Sequence, residues 1–280
     1  MAKSPRIVMG ALNISADPHP PGIYRRIFTE VAGVKQQIHG ADWGKITEPQ
    51  DRETTPPSFY GRVLLWTEID RDGKWLHQEQ DREATPTEKR NIVIPNELDP
   101  NFRSFHFVFF EDRHLLVVEF QNELGERFGA ARARKLFSLL LNRDDQDWPE
   151  VSVTVVPSQE ALEKIYAIPR LRKLELYVIR PNPDDLTTET ARVLDRLVKQ
   201  GAKDQTLVYT KRAKVKSITP DEETKTLAEV AANNGYVSGE GKDEDGAPVM
   251  ESTKDHPKTF ALDVEGAAPL ATFYAHLSLF

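Results

Sequence analysis

Residues 105–120 read FHFVFFEDRHLLVVEF, two apolar, strand-favouring runs separated by the polar segment EDRH. Aromatic and β-branched residues favour strands, and a short polar cluster between two such runs favours a turn, so this pattern predicts a β-hairpin. We expect a two-residue loop at Asp112 and Arg113, with facing positions placed symmetrically about it. This register brings His106 opposite Glu119.

Both faces of the predicted hairpin are apolar. One face would carry Phe105, Phe107, Phe109, Leu116, Val118 and Phe120, and the other Val108, Phe110, Leu115 and Val117. A sheet with two apolar faces has to be covered on both sides, and helices are the usual cover. The hairpin is therefore predicted to lie at the centre of the fold.

The chain after the hairpin alternates between helical and extended patterns. The predicted elements are a helix over 128–141, a strand over 151–156, a helix over 158–165, a strand over 171–179, a helix over 187–200, a strand over 207–215 and a helix from Thr219 to about Asn234. We predict an α+β (mixed α/β) fold. Its mixed β-sheet would have the central antiparallel hairpin covered by helices, and its C-terminal tail would be β-rich.

Three parts of the chain are predicted from composition and pattern. Residues 1–126 form an N-terminal β-rich part with long polar loops, and residues 127–216 form a basic α/β part. Residues 217–280 form a C-terminal part with one helix and short strands. A single compact unit of 280 residues remains the alternative, because a chain of this length can bury one large core.

Charge is distributed unevenly along the chain. Residues 127–216 carry 18 Lys and Arg against 12 Asp and Glu, a net charge of +6. The remainder then holds 19 against 32, or −13, and the two together give the overall −7. A basic segment inside an acidic chain indicates an anionic partner for that segment.

Composition also bears on the compartment of the protein. The chain contains no cysteine, which excludes disulfides, thiolate nucleophiles and cysteine-based metal sites and fits a reducing compartment. The N-terminus lacks the apolar core of a signal peptide, and no apolar run approaches the roughly 18 residues of a membrane span. We therefore expect a cytoplasmic protein that is not associated with a membrane.

Arg192, Arg196 and Lys199 form the first group of candidate binding residues. Their i, i+4, i+7 spacing places them on one face of the predicted helix over 187–200. Cations on one face can contact successive phosphates of a nucleic acid. A solvated charged face, diluted by Asp195 and Glu189, is the alternative.

Two further cationic groups extend this prediction. Arg212, Lys214 and Lys216 alternate, so they would share one side of the predicted strand over 207–215 if the strand extends that far. Arg132 and Arg134, followed by Lys135, form the third group on the predicted helix over 128–141. We predict contacts of these groups with nucleic acid, although no known nucleic-acid-binding motif accompanies them.

The pair His106 and Glu119 is a second candidate site. A carboxylate can orient a histidine as a general base or as a metal ligand. Two groups fall short of the three or four ligands that a metal site needs, so we favour a satisfied polar pair inside the sheet.

The loop PNPDD at 181–185 is the third candidate. It follows a strand and precedes a helix, where functional groups often lie in α/β folds. Asp184 and Asp185 could bind Mg²⁺ or could cap the helix that follows, and we favour capping. No metal or cofactor is otherwise predicted.

Several strings resemble an uncharacterised bacterial family found in prophages, mobile elements and phage-defence neighbourhoods. They are Phe105–Phe110, His114–Leu116, Ile179–Asp185 and Asn234–Val237. In the order of its elements alone, the chain also resembles the RexA and KwaB type of DNA-binding defence proteins. These resemblances imply DNA binding and self-association.

Together these observations predict a non-enzymatic, cytoplasmic binding or sensor component of a bacterial phage-defence or mobile-element system. It would contact nucleic acid through its basic central segment, would be a homo-oligomer, and could have a protein partner encoded in the same operon. Two alternatives stay open. One is a metal-dependent nuclease that uses the loop with Asp184 and Asp185, and the other is a protein-interaction subunit of a defence complex.

Overall fold

The structure is a computed structural model that describes residues 5–54, 57–180, 188–264 and 269–280. Its strands are β1 (Arg6–Ala16), β2 (Gln36–His39), β3 (Asp42–Ile46), β4 (Gln50–Arg52), β5 (Ser58–Thr67), β6 (Leu76–His77), β7 (Arg82–Glu83), β8 (Arg103–Phe110), β9 (Leu115–Gln121), β10 (Val151–Val155), β11 (Arg170–Ile179), β12 (Asp204–Thr210), β13 (Gly235–Lys242), β14 (Pro248–Ser252) and β15 (Thr259–Asp263). Its α-helices are α1 (Ile23–Glu30), α2 (Pro86–Lys89), α3 (Ala130–Leu141), α4 (Ala161–Tyr166), α5 (Thr188–Gln200), α6 (Glu222–Asn233) and α7 (Pro269–Ala275).

The larger sheet contains nine strands, and the predicted hairpin lies at its centre. Its main order is β10-β1-β9-β8-β5-β3-β2, with β15 also paired to β1 and β4 to β5. The hairpin register is confirmed, because Phe107 pairs with Val118 and Phe110 with Leu115. The two-residue loop is wrong. Residues 111–114 all connect the strands, since Glu111–Arg113 form a 3₁₀ turn.

Both faces of the hairpin are covered by helices, as predicted. On one face, Phe107 packs beside Phe28 of α1 and Phe137 of α3 in the main apolar core. On the other face, Val117 belongs to a smaller core with Phe273 of α7. Since truncation of a buried Phe costs roughly 3–5 kcal/mol, these contacts contribute strongly to the stability of the fold.

A second, four-stranded sheet follows the order β12-β11-β13-β14. Its inner face is covered by α4, α5 and α6. The core between this face and the helices contains Leu174, Leu176, Val178, Val193, Leu197, Ala228 and Val237, all buried. Leu174, Leu176 and Val178 alternate along β11 as expected from the period of two in a strand.

The predicted strand over 207–215 is displaced in the structure. The observed β12 spans Asp204–Thr210, and the chain then turns, with Lys214 in the left-handed region at φ 67°. Lys211 stabilises this loop, because its Nζ donates to the carbonyl oxygens of Arg212 and Val215. The alternation of cations beyond Thr210 therefore does not lie on a strand.

The α+β class is confirmed, with a strand-rich segment from β13 to β15 near the C-terminus. The expected mixture of parallel and antiparallel strands is not found, because every pairing between described strands is antiparallel. Strands from all three predicted parts join the larger sheet, since β10 and β15 both pair with β1. The division at residues 126 and 216 stays a prediction.

Among the described helices, none combines the length and the apolar composition needed to cross a membrane.

Candidate functional site

The outer face of the four-stranded sheet is the surface opposite α4, α5 and α6. Along β11, residues alternate between the two faces, so Lys173, Glu175 and Tyr177 lie on the outer face. The register places Glu240 beside Lys173 and Tyr236 beside Tyr177 on β13. Charged and aromatic side chains from the two central strands are thus brought together.

Tyr177 and Tyr236 form a cross-strand aromatic pair at the centre of this face. Their ring centroids are 5.0 Å apart, with 32° between the ring planes. The Tyr177 hydroxyl donates to Asp204 at 3.2 Å, and the Tyr236 hydroxyl donates to Glu175 at 2.8 Å. Partial burial, together with the Glu175 carboxylate, raises the pKa of Tyr236 to about 12. Both rings are therefore held in place by neutral hydroxyls bonded to carboxylates.

Gly235 allows the two central strands to approach each other at the aromatic pair. A Cβ atom at this position would collide with the backbone carbonyl group of Tyr177. A glycine in β13 therefore permits the close contact that aligns Tyr236 with Tyr177.

Lys173 forms ion pairs with two carboxylates of this face, Glu175 and Glu240. Its Nζ lies 2.9 Å from Glu175 and 3.2 Å from Glu240. The hydrogen bonds from Lys173 and then from Tyr236 lower the pKa of Glu175. The bond to Glu175, followed by that to Glu240, raises the pKa of Lys173. One ammonium is thus shared by two carboxylates, which leaves this part of the face with one unbalanced negative charge.

The ammonium of Lys254 covers the Tyr236 ring, and the charge of Arg134 acts on Lys254. The ammonium of Lys254 lies 3.2 Å from the centroid of the Tyr236 ring, a close cation–π contact. Its pKa is lowered, first by partial burial and then by the charge of Arg134 on α3. Neither cation forms an ion pair within the described ranges. Glu175 and Asp255 act in the opposite direction and favour the charge of Lys254, so the two cations are partly compensated.

The flanks of the outer face are open to solvent. On β12, Val208 lies beside Glu175 and is 51% exposed, and on β14, Met250 lies beside Glu240 and is 67% exposed. Thr206 and Thr210 on the same side of β12 are also exposed. The outer face is therefore accessible along both edge strands.

The cations predicted on α5 lie on the other side of the second sheet. Arg192 and Arg196 line a cleft of about 380 Å³ between α5 and α6, together with the carboxylates Glu189 and Glu223. Lys199 does not line it, and its Nζ binds Asp195 at 2.7 Å. Two of the three predicted cations, Arg192 and Arg196, therefore lie in the same cleft.

The other two predicted groups are only partly preserved. Arg212, Lys214 and Lys216 are exposed, but they lie on the loop after β12 and do not share a sheet face. Arg132 and Arg134 point apart, because positions i and i+2 on a helix do not share a side. Arg132 binds Asp42 of the larger sheet at 3.2 Å, whereas Arg134 approaches Lys254.

A larger cleft of about 580 Å³ lies at the edge of the larger sheet. It is bordered by Asp70, Asp72 and Asp99, together with Arg71. Arg71 is engaged in hydrogen bonds to Asn96 and to main-chain carbonyl groups. The excess of carboxylates makes this cleft a poor match for an anionic ligand.

A comparison with known protein families assigns this chain to one of them. The family model for a domain of unknown function, DUF4747, matches residues 6–267. The chain belongs to the DUF4747 family. No curated protein matches this sequence. In this DUF4747 protein the matched span contains every strand of both described sheets, so the outer face of the second sheet lies within the family domain.

The contact between His106 and Glu119 is confirmed in this DUF4747 protein, but the pair is only partly satisfied, because Oε1 of Glu119 is buried and accepts no hydrogen bond from a described residue. Nδ1 of His106 lies 3.0 Å from Oε2 of Glu119, which also accepts the backbone N–H of His106 at 2.7 Å. Glu119 is fully buried beneath α7. The described part of the chain holds no group of three or more His, Asp or Glu arranged to bind a metal ion. The pair is a buried polar contact inside the central sheet.

Asp184 and Asp185 lie outside the described residues, so their predicted alternatives, Mg²⁺ binding and helix capping, stay predictions.

The sequence analysis missed the aromatic pair and Lys254 of the DUF4747 domain. Tyr177 lies in a predicted strand, where it alternates with Leu176 and Val178, and this alternation was the available signal. The position of Tyr236 beside it depends on the pairing of β11 with β13. That pairing joins residues distant in the chain.

Proposed function

We propose that this DUF4747 protein binds nucleic acid and performs no catalysis. The observation that carries the proposal concerns the predicted cations. Of the eight cations predicted to bind nucleic acid, two form ion pairs, Arg132 with Asp42 and Lys199 with Asp195. The other six form no ion pair with a described residue: Arg134, Arg192, Arg196, Arg212, Lys214 and Lys216. Cations without a carboxylate partner retain their charge for phosphates, and each neutralised phosphate adds to salt-sensitive affinity.

Some cations elsewhere in the molecule are paired with carboxylates, whereas others, such as Arg62 and Arg90, form no ion pair with a described residue. Arg26 binds both Glu30 and Asp147, and Arg82 binds Glu88. These guanidinium groups are already neutralised within the protein. An acidic protein can still attract a polyanion locally where unpaired cations lie, as on α5 and on the loop after β12.

The biological setting is proposed from the resemblances of the sequence. A bacterial phage-defence or mobile-element system, a cytoplasmic location and a homo-oligomeric assembly are all consistent with a nucleic-acid sensor. A protein partner encoded in the same operon would bind the sensor when nucleic acid is bound to it.

Fluorescence anisotropy with labelled duplex DNA, single-stranded DNA and RNA at two salt concentrations tests the proposal. We expect binding that weakens as salt rises and that falls at least tenfold in the variant R192E/R196E. The matched control is K74E/R90E, which makes the same change of charge on the surface of the N-terminal region. Equal affinities of the two variants would contradict the proposed contact.

The same experiment separates the two alternatives. Fragment release that needs Mg²⁺ and disappears in D184A would replace the non-enzymatic function with a nuclease. A wild-type protein that binds none of the three nucleic acids at low salt would favour the protein-interaction subunit.

A further inference from the structure

We propose that the outer face of the second sheet is a base-stacking surface for single-stranded nucleic acid. We call it the stacking face and define it by Tyr177, Tyr236, Lys173, Lys254 and Arg134. This inference rests on the proposed nucleic-acid binding and names its substrate class. The cations on α5 and on the loop after β12 would supply general attraction, whereas the stacking face would select unpaired bases.

The aromatic pair provides the surface on which bases can stack. Tyr177 and Tyr236 lie on the two central strands, and their hydroxyls are anchored to Asp204 and Glu175. Rings that are already ordered lose little conformational freedom when a base binds. Stacking on aromatic rings is tolerant of sequence because every base has a π face.

Lys254, whose ammonium lies over the Tyr236 ring, would hold the sugar–phosphate backbone. Lys254 lies on the Tyr236 ring, and Arg134 approaches Lys254 without an ion pair to a described residue. Their mutual repulsion contributes to the lowered pKa of Lys254. A base that stacks on Tyr236 would displace the Lys254 ammonium from the ring, and the ammonium would then bind the phosphate of the same nucleotide.

The carboxylates of the stacking face set the direction of the strand. Glu175 and Glu240 share the single ammonium of Lys173, and Glu175 also favours the charge of Lys254. Both carboxylates disfavour phosphates beside them but can accept hydrogen bonds from base amino groups. The backbone would therefore follow Lys254, with the bases directed across the sheet.

A double helix does not fit this arrangement. Its bases are stacked on one another and their π faces are hidden, whereas a single strand can splay its bases onto protein rings. The exposed flanks at Val208 and Met250 leave room for a strand to enter and leave. The stacking face therefore predicts a preference for single strands.

The test uses the full-length protein and fluorescein-labelled oligo(dT) and oligo(U), compared with a duplex of the same length. We expect single strands to bind at least tenfold more tightly than the duplex. In Y177L/Y236L, single-strand affinity should fall about 10- to 100-fold while duplex affinity remains unchanged. The matched control Y177F/Y236F keeps both rings and should retain single-strand affinity. Circular dichroism verifies that both variants are folded.

A second variant and a direct readout keep the test decisive if Y177L/Y236L unfolds. K254E should weaken single-strand binding at least fivefold, and an oligonucleotide with 5-iodouracil should photocross-link to Tyr177 or Tyr236. Equal binding of single strands and duplex, together with an unaffected K254E variant, would overturn the stacking face. If R192E/R196E still abolished that binding, the proposed function would stand without it. Complete absence of binding by the wild type would overturn both.

Discussion

Glu119 is bonded to His106 across the central hairpin, with Oε2 of the carboxylate 3.0 Å from Nδ1 of the imidazole. The carboxylate is fully buried, while the side chain of His106 remains 24% exposed. Oε1 of Glu119 receives no hydrogen bond from the described residues. A buried carboxylate of this kind depends on its one side-chain partner, because removal of the partner leaves an uncompensated polar group in an apolar core.

We therefore expect H106A to lower the free energy of unfolding by about 3 kcal/mol at neutral pH. Urea denaturation followed by circular dichroism measures this change. The double variant H106A/E119Q should recover part of the loss, since the buried charge is gone. If the double variant is no more stable than H106A alone, the buried charge is not the cause.

A second prediction concerns the contact between the central strands of the second sheet. G235A should lower the free energy of unfolding by about 2 kcal/mol, because the new methyl group collides with the Tyr177 carbonyl group and the strands must separate. The control N233A changes an exposed position at the end of α6 and should stay within roughly 0.5 kcal/mol of the wild type. Similar melting of both variants would contradict the close strand contact.

A third prediction follows from the buried phenol of Tyr274. Burial, followed by the neighbouring Tyr60, raises its pKa to about 12. The neutral phenol is favoured in the folded state, so its contribution is complete below the unfolded pKa of about 10 and is lost as the pH rises towards 12. Stability should therefore fall over this interval, and it should fall less in Y274F.

Absorbance at 295 nm measures the ionisation of the tyrosines directly. Of the seven tyrosines, Tyr166, Tyr236 and Tyr274 have a pKa raised to about 12 and should ionise last. Y274F should remove part of the latest phase and leave the earlier phase intact. Loss of amplitude from the earlier phase would show that Tyr274 ionises normally.

The fourth prediction is quantitative for nucleic-acid binding. If Arg192 and Arg196 each contact one phosphate of a duplex, the slope of log K against log salt should become less negative by roughly 1.8 in R192A/R196A. Anisotropy titrations at four or more salt concentrations give the slope. An unchanged slope would show that neither guanidinium contacts a phosphate.

Local patterns determined much of the first sheet. The register of the central hairpin and the facing of His106 and Glu119 were predicted correctly, because four residues separate two strongly patterned strands and few alternatives compete. The helices α3 and α5 were also predicted correctly as helices, each with one apolar face. Their stripes of apolar residues are long enough for the helical period to be recognised.

Tertiary contacts decided where other elements end. The cations from Arg212 to Lys216 continue the alternation of β12, but pairing with β11 ends as the chain turns after Lys211, and Ile218 returns to bond Leu171. The cap of α6 is Asp221, two residues after the predicted Thr219, because its side chain accepts from the backbone N–H of Thr224.

The sequence by itself determined the strand and helix periods, the buried hairpin and the excess of cations between residues 127 and 216. Only the tertiary structure decided that Tyr236 lies beside Tyr177, that Lys254 lies over the Tyr236 ring, and that Arg132 is paired with Asp42. The physical reason is the range of the interactions. Periodicity acts between near neighbours in the chain, whereas strand pairing and side-chain charge contacts join positions whose separation no local pattern encodes.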